Sequence, residues 1–193
     1  MVNTEKTALT DEQLIARFQD GEETAFIELV NRYKDRLINF VYRFINQTEE
    51  AEDIVQETFL KVYKNRHAYR EIAKFSTWIY TIAGNLARSE LRKRKRRQTF
   101  TMTDLSYDDR EFNPVDPGRQ PEEIVFNEYA GDEIQAAIQA LPEPFKSIII
   151  LRDIQELSYE DISTILDIPM GTVKSRVNRA RLKLQEMLRH LKE

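Results

Sequence analysis

The sequence lacks several residue types on which particular kinds of chemistry depend. Its 193 residues include no cysteine and only two histidines, His67 and His190, which lie far apart in the chain. The absence of cysteine excludes disulfides, thiolate metal sites and thiol catalysis in this chain. We therefore predict a protein without a metal ion or a cofactor.

Glycine and long apolar runs are also scarce. The chain has five glycines and no run of 18 apolar residues of the kind that a membrane span requires. Residues 1–23 mix acidic and polar side chains, whereas a signal peptide needs a basic start and an apolar run. We expect a cytoplasmic protein rich in helix formers.

Charge is unevenly distributed along the chain, whose formal net charge is −4. Residues 1–97 contain 18 Lys and Arg against 15 Asp and Glu, residues 98–128 contain two against eight, and residues 129–193 contain nine against ten. The middle segment therefore makes the protein acidic. It also holds three of the six prolines and interrupts the helical pattern, which is typical of a linker.

Apolar residues recur at spacings of three and four almost throughout, and strand signals are nearly absent. The pattern predicts an all-α fold of two small helical domains, at 10–98 and 128–193, joined by an acidic, proline-containing linker at 99–127. The predicted helices cover 10–21, about 24–45, 48–65, 76–97, 128–140, 145–153, 158–166, and 171 to the end.

The C-terminal stretch "LSYEDISTILDIPMGTVKSRVNRARLKL" reads as two short helices joined by a tight turn. Ser158 is a suitable N-cap for the first helix, and "DIPMG" makes the bend. A helical wheel places a buried stripe on the second helix, made by Val173, Val177, Ala180 and Leu184. The pattern is that of a helix-turn-helix, which presents its second helix to DNA.

The face opposite this stripe carries Ser175, Asn178 and Arg179, which are side-chain types that read base edges in a major groove. Four basic residues lie on the two flanks, where a groove-bound helix passes the phosphates: Lys174, Arg176, Arg181 and Lys183. The alternative is a solvated basic helix. The capped preceding helix and the proline-glycine turn favour DNA reading.

The segment "STWIYTIAGNLARSELRKRKRR" predicts a helix with a polar stripe opposite its apolar side. Trp78 lies at the edge of this stripe, which is formed by Thr81, Asn85, Arg88, Ser89, Arg92 and Arg96. A basic stripe beside an aromatic ring suits single-stranded DNA. The alternatives are core packing for Trp78, and a helix-dipole or nuclear-localisation role for the basic run 92–97.

The segment "TEEAEDIVQETFLKVYKN" predicts a helix of different character. Four residues share an outward arc that is acidic but includes one leucine: Asp53, Gln56, Glu57 and Leu60. DNA would repel this arc, and an exposed leucine among acids is typical of a protein-binding surface. A solvated acidic face with one stray leucine is the alternative.

Three segments together resemble a known family. "AEDIVQETFLKVYKN", "KFSTWIYTIAGNLARSELRKRKR" and "LPEPFKSIIILRDIQELSYEDISTILDIPMGTVKSRVNRARLKL" are similar to characteristic parts of the extracytoplasmic-function (group IV) sigma factors of bacterial RNA polymerase. The resemblance implies a promoter-specificity subunit that binds core polymerase and performs no covalent chemistry.

For the first domain the resemblance implies a sigma-two fold. Asp53, Gln56 and Glu57, with Leu60 on the same arc, would bind the clamp helices of the β′ subunit. The loop 69–74, ending at Lys74, would open the minus-ten element and capture a flipped base together with Phe75, Thr77, Trp78 and Asn85. Arg88 and Arg92 would follow the DNA backbone.

For the second domain the resemblance implies a sigma-four fold whose recognition helix, 172–181, reads the minus-thirty-five element. Thr172 begins that helix, and Lys174, Ser175, Asn178 and Arg179 match the DNA-contacting positions of the family. The linker would thread toward the active cleft of polymerase, along other β and β′ surfaces. The resemblance also implies an anti-sigma factor, which would hold the protein at the membrane if it is itself a membrane protein.

Two other functions fit parts of the sequence. A one-component regulator would use the same C-terminal helices as a dimer on a palindromic operator, but it gives no reason for the acidic arc. A nucleic-acid hydrolase could use Asp53 and Glu57, which share a face. No further carboxylate, histidine or lysine completes a metal-site or nucleophile pattern around them.

Overall fold

The computed structural model describes residues 9–104 and 125–192, and every regular element in these ranges is helical. The α-helices are α1 (Asp11–Gln19), α2 (Glu23–Ile45), α3 (Thr48–Lys64), α4 (Phe75–Asp104), α5 (Val125–Ala140), α6 (Glu143–Ile149), α7 (Tyr159–Leu166) and α8 (Met170–Met187). Single 3-10 turns cover Arg66–Ala68 and Arg189–Lys192, and a π-helical turn covers Ile150–Ile154. The predicted all-α class is confirmed.

Local signals set most of the helix ends. Thr10 and Gln13 form a reciprocal capping box at the start of α1, in which the Gln13 N–H donates to the Thr10 Oγ1 at 3.2 Å. Ser158 caps α7 by accepting from the Asp161 N–H at 3.0 Å. Asn46 and Asp167 end α2 and α7 in the left-handed conformation.

The helices flanking the predicted linker are longer than the sequence indicated. α4 continues to Asp104 rather than ending near Arg97, because 98–104 contains no proline or glycine that would stop it. α5 begins at Val125 rather than near Glu128. The rest of the predicted linker, 105–124, lies outside the described residues.

The helix predicted at 145–153 is also different. α6 begins earlier, at Glu143, with Pro142 as its N-cap residue, and it passes into the π-helical turn after Ile149. The run 148–151 crosses this junction, and all four of its apolar side chains are buried. The change of helical type therefore lies within the core of the second domain.

The first four helices enclose a core in which several aromatic rings pack against one another. Phe75 packs edge-on against Tyr33 with ring centroids 5.4 Å apart, and Tyr80 packs against Phe40 at 5.0 Å. Phe40, Phe75 and Tyr80 have no exposed surface. Two of these rings belong to α4, so the position of α4 is fixed by the core.

Buried apolar side chains also hold α6, α7 and α8 together. Ile162 and Ile165 of α7 are buried against Val173, Val177 and Ala180 of α8, and Leu184 is half-buried at the margin. The predicted inner stripe of the last helix is therefore confirmed. The two groups of helices also pack on one another, because α7 contacts α4 while α5 and the π-helical turn contact α2.

A buried hydrogen bond fixes α1 against α2. The Tyr33 hydroxyl, on a side chain that is 2% exposed, donates to Asp11 Oδ2 at 2.5 Å, and Arg32 donates to the other oxygen of this carboxylate at 2.9 Å. Burial and the neighbouring carboxylate raise the pKa of Tyr33 well above its ordinary value. The hydroxyl therefore remains a donor at every working pH.

We expect Tyr33→Phe to lower the free energy of unfolding of the first domain by about 1 to 2 kcal/mol, because Asp11 loses a buried partner. Urea denaturation followed by Trp78 fluorescence measures this, since Trp78 is the single tryptophan and lies in that domain. Tyr42→Phe, on the same helix and half-buried, is the control. Equal midpoints for the two variants would contradict the assignment.

Candidate nucleic-acid interface

The outer face of α8 is built as the sequence indicated. Ser175, Asn178 and Arg179 are exposed on the side of the helix opposite the buried Val173 and Val177. The Ser175 hydroxyl donates to the carbonyl oxygen of Thr172 at 3.0 Å, within the first turns of the helix. The face offers donors and acceptors of the kinds that match base edges.

The flanks of α8 are not equivalent. Lys174 and Lys183 are exposed, whereas Thr172 and Arg176 are half-buried. Arg181, which the sequence places among the phosphate contacts, forms a two-point pair with Asp153 in the π-helical turn, with Nε to Oδ2 at 3.1 Å. Its hydrogen bond to this carboxylate raises the pKa of Arg181. Arg181 therefore links α8 to the preceding turn.

The turn between α7 and α8 is held by its own backbone and one side chain. Asp167 takes a φ of 52°, and the Ser163 hydroxyl donates to the carbonyl oxygen of Ile168 at 2.6 Å. Pro169 precedes the first turn of α8, a position that suits its fixed φ. These contacts set the angle at which α8 leaves the domain.

The polar stripe of α4 is present, and it contains an internal contact. Arg88 donates to the Asn85 Oδ1 at 2.6 Å, so these two predicted DNA residues act as a unit. Burial lowers the pKa of Arg88, while the negative charge of Glu143 in α6 opposes that shift. Arg92 and Arg96 lie further along α4 and are exposed.

Some basic residues of the run 92–97 bind groups within the first domain, whereas others are exposed. Arg94 turns toward the α2–α3 junction, where it donates to the carbonyl oxygen of Ile45 at 3.1 Å and pairs with Glu50. Lys93 pairs with Glu90 one turn earlier at 3.3 Å. Part of the run therefore anchors α4 to its own domain, which sequence reasoning missed.

The aromatic residues at the start of α4 lie deeper than predicted. Phe75 is fully buried among Tyr33, Tyr69 and Trp78, and its N–H donates to the Glu12 Oε1 at 3.1 Å. Its ring is a core group, so the predicted contact of this ring with DNA requires the ring to leave the core. In the sequence, Phe75 and the apolar residues near it on α4 look alike, so the helical pattern did not show which of them is buried.

Trp78, for which the sequence left core packing and DNA contact open, has features of both. Its ring is half-buried and packs on Tyr69 with centroids 5.4 Å apart. Part of the Trp78 surface stays exposed, and Trp78 follows the loop 69–74 in the chain. In that loop Ile72 is 92% exposed, a large apolar side chain that sequence reasoning did not single out.

Lys74 and Thr77 face the second domain. The Thr77 hydroxyl donates to the Asp161 Oδ1 at 2.8 Å, and the Lys74 Nζ lies 3.6 Å from the Asp161 Oδ2. Burial acts to raise the pKa of Asp161, but hydrogen bonds from Ser158 and Thr77 and the charge of Lys74 outweigh it, so the pKa lies below its ordinary value. Asp161 is therefore an anion at neutral pH.

The acidic arc lies on the exposed side of α3, with Asp53, Gln56, Glu57 and Leu60 all accessible. Leu60 is 50% exposed, and Ile27 on the adjoining α2 is 57% exposed. Gln56 also lines a groove of about 350 Å³ between α2 and α3, whose other walls are Val30, Lys34, Ile38, Glu52, Val55 and Phe59. The surface therefore combines acids with accessible apolar area.

Within residues 9–104 and 125–192, no three histidine or acidic side chains are placed to hold a metal ion together. No helix in these ranges is both long and apolar enough to cross a membrane.

Two family models match the chain. Residues 29–97 match the model described as Sigma-70 region 2, and residues 131–184 match the one described as Sigma-70, region 4. The first match covers most of α2, all of α3 and most of α4, and the second covers α6, α7 and most of α5 and α8. The outer faces of α4 and α8 therefore both lie within matched segments.

Similar proteins align over nearly the whole length. The RNA polymerase sigma-H factor of Pseudomonas aeruginosa is 37% identical over 185 residues, which span 94% of this chain and 95% of the relative. The ECF RNA polymerase sigma factor SigW of Bacillus subtilis is 37% identical over 185 residues, spanning 92% and 96%. The ECF RNA polymerase sigma-E factor of Escherichia coli is 35% identical over 179 residues, spanning 90% and 91%.

Solved structures give the same fold. The sigma factor RpoE of Bartonella quintana, solved with the anti-sigma factor NepR, is 27% identical with a TM-score of 0.64, covering 85% of this chain and 96% of its own. CnrH, solved with the cytosolic domain of CnrY, is 21% identical with a TM-score of 0.69, covering 93% and 97%. The second likeness concerns the fold alone.

We expect the Asp153–Arg181 pair to stabilise the second domain by about 0.5 to 1 kcal/mol, at the upper end for an exposed pair because it is two-pointed. A double-mutant cycle with Asp153→Ala and Arg181→Ala, followed by thermal unfolding in far-UV circular dichroism, measures this coupling. Lys183→Ala is the control for loss of a basic side chain on α8. Additive effects of the two substitutions would mean that the pair contributes nothing.

Proposed function

This chain belongs to the extracytoplasmic-function sigma factors of bacterial RNA polymerase and directs promoter-specific initiation of transcription, and we propose here which of its surfaces perform that function. We assign 10–98 to the domain that binds core polymerase and the minus-ten element, 99–127 to the linker, and 128–193 to the minus-thirty-five domain. The chain performs no covalent chemistry and works in the cytoplasm with polymerase, which supplies catalysis.

The outer face of α8 is the observation that carries the proposal. Asn178 and Arg179 are exposed on a helix whose opposite side is buried in the core of the second domain. An asparagine matches adenine and an arginine matches guanine in a major groove, and Ser175 suits either base. We assign the phosphate contacts to Lys174, Arg176 and Lys183, together with Thr172 at the start of the helix.

The minus-ten element is assigned to α4 and the loop before it. Asn85 and Arg88 are hydrogen-bonded to each other, and Arg92 follows on the same stripe. The accessible part of the Trp78 ring offers a stacking surface for an unpaired base. Lys74 and Thr77 complete this surface once the second domain has moved away from them.

Core polymerase is assigned to the arc of α3. Asp53, Gln56 and Glu57 supply charge and hydrogen-bonding groups, and the half-exposed Leu60 supplies an apolar contact. Such a mixture fits a protein interface with a basic partner better than it fits DNA. We propose that the β′ clamp helices are that partner and that the groove beside Gln56 belongs to the same interface.

Specificity arises from using both domains together. Each domain reads a short element weakly, and the linker converts binding of the second element into an intramolecular step at high effective concentration. A promoter must then carry both elements at the right spacing. Neither domain needs a high affinity of its own.

An anti-sigma factor is a further proposed partner. The sigma factor RpoE of Bartonella quintana, with which this chain shares its fold at 27% identity, was solved in complex with the anti-sigma factor NepR. We propose that a protein of that kind holds this chain inactive. If it is a membrane protein, it would keep the chain at the membrane without any insertion of the chain itself.

We expect the purified chain to bind core polymerase and to start transcription from a subset of a promoter library. The Asp53→Ala/Gln56→Ala variant should lose at least tenfold in affinity for core polymerase, because charged and amide groups at the interface centre are removed. Asn31→Ala/Asp35→Ala removes an amide and an acid from the exposed face of α2 and is the matched control.

A double variant that binds core polymerase as well as this control would contradict the assignment of the acidic arc. Binding of the isolated chain to a palindromic operator, with no effect on polymerase, would instead favour the one-component regulator. The affinity is measured by fluorescence anisotropy with labelled chain, and transcription by sequencing of the library transcripts.

We expect Arg179→Ala to relax the preference at one minus-thirty-five position by about 1 to 3 kcal/mol, because a base-reading pair is lost. Lys183→Ala should weaken binding to all promoter sequences by a similar factor, because it removes a phosphate contact. Transcription of a library with a randomised minus-thirty-five element separates the two patterns. If Arg179→Ala keeps the wild-type rank order of sequences, the base-reading assignment is wrong.

A further inference from the structure

Ile72 is the most exposed large apolar side chain among the described residues. It lies in the loop 69–74 and is 92% exposed, whereas the next in order, Ile27 and Leu182, are each 57% exposed. A single exposed aliphatic side chain is common on protein surfaces. The meaning of this one depends on how firmly the loop holds it and on what surrounds it.

The loop that carries Ile72 is closed by its own residues and tied to α1. The Tyr69 hydroxyl donates to the carbonyl oxygen of Ala73 at 2.9 Å, which joins the two sides of the loop. Gln19 of α1 donates to the carbonyl oxygen of Arg66 at 2.6 Å and to that of Tyr69 at 3.3 Å. Tyr69 is 6% exposed, so this closure is anchored in the core. Ile72 therefore projects from a fixed support, and its β-branched side chain is itself stiff.

The charge around Ile72 favours a nucleic acid as its partner. Lys64, Arg70 and Lys74 are exposed basic residues near it in the chain, and Glu71 is the one acid of the loop. DNA phosphates are the anions that such a set attracts. A basic protein surface of the kind that suits the acidic arc of α3 would be repelled here.

An apolar side chain between basic residues has the form of a DNA wedge. Proteins that kink a duplex insert side chains such as Phe, Leu or Ile between base steps and partly unstack them. Trp78, the aromatic candidate for this role, packs on Tyr69 and Phe75 with ring centroids 5.4 and 6.1 Å away. Insertion of the Trp78 ring would break both contacts, whereas Ile72 already stands clear of the core.

We propose that Ile72 is the wedge that enters the base stack when the minus-ten element opens. The proposal rests on the assignment of α4 and the loop before it to that element. Ile72 replaces a stacking contact between bases, and the displaced base lies against the exposed part of Trp78. Arg70 and Lys74 bind phosphates on either side of the wedge.

The polarity of this side chain can be changed while its shape is kept. Ile72→Val and Ile72→Thr both place a small β-branched side chain in the loop, but only valine is fully apolar. Ile72→Ala removes most of the side chain. Because Ile72 is 92% exposed, none of these changes disturbs the core, and circular dichroism checks that each variant keeps its helices.

The test uses the full chain with core polymerase on a promoter taken from the library. A base of the minus-ten element is replaced by 2-aminopurine, whose fluorescence rises when it leaves the stack, and stopped-flow mixing gives the rate of opening. We expect Ile72→Val to open the duplex within about twofold of the wild-type rate, and Ile72→Thr and Ile72→Ala to open it about tenfold more slowly. A second promoter has its minus-ten element already unpaired by mismatches. On that promoter all variants should match the wild type in transcript yield, because no stack has to be opened.

Equal opening rates for Ile72→Val and Ile72→Thr would overturn the proposal. A loss of the same size on the mismatched promoter would also overturn it, because Ile72 would then be a general DNA contact. Weaker binding of Ile72→Thr to core polymerase, measured by fluorescence anisotropy, would place Ile72 at the polymerase interface instead. A wild-type chain that initiates from neither promoter would overturn the proposed function together with the wedge, whereas wild-type initiation with no difference among the variants would remove the wedge alone.

Discussion

Helix α4 packs into the core of the first domain on one side and contacts the second domain on the other, and this requirement shapes both domains. Its inner side brings Phe75 and Tyr80 into the aromatic core, so its position cannot change without unpacking α1 and α2. Its outer side must therefore meet every external partner from one fixed position. The second domain contacts that side through Lys74 and Thr77, and the proposed minus-ten contacts lie on it as well.

The net charge of the chain says little about where nucleic acid binds. Several basic residues that a count would assign to DNA are committed within the protein, as Arg94 is to Glu50 and Arg181 is to Asp153. The basic residues on the outer faces of α4 and α8 are fewer than the sequence suggests. On the proposed assignment of these faces to DNA, affinity depends on the simultaneous use of both faces more than on the strength of either.

The two domains contact each other through polar side chains as well as through the apolar cluster that they share. Hydrogen bonds such as Tyr80 to Gln155 give a specific arrangement with a small net free energy, because water competes for the same groups. The structure thus joins its two domains by apolar packing together with specific hydrogen bonds.

The sequence by itself determined the helices, their caps and their two-sided character, because these depend on neighbours three or four residues away. The capping box at Thr10, the cap at Ser158 and the buried stripe through Val173 and Val177 all have this local origin. The outward positions of Asn178 and Arg179 follow from the same periodicity. The all-α class followed from the sum of such signals.

Only the tertiary structure decided which side chains of a polar or aromatic stripe are left for a partner. The burial of Phe75, the pairing of Arg181 with Asp153 and the contact of Thr77 with Asp161 join residues from different helices. Thr77 and Asp161 are 84 positions apart, and no periodicity within one helix carries that information. Such contacts arise from the way packed helices bring distant segments together, so a face predicted from one helix is an upper limit on what remains free to bind.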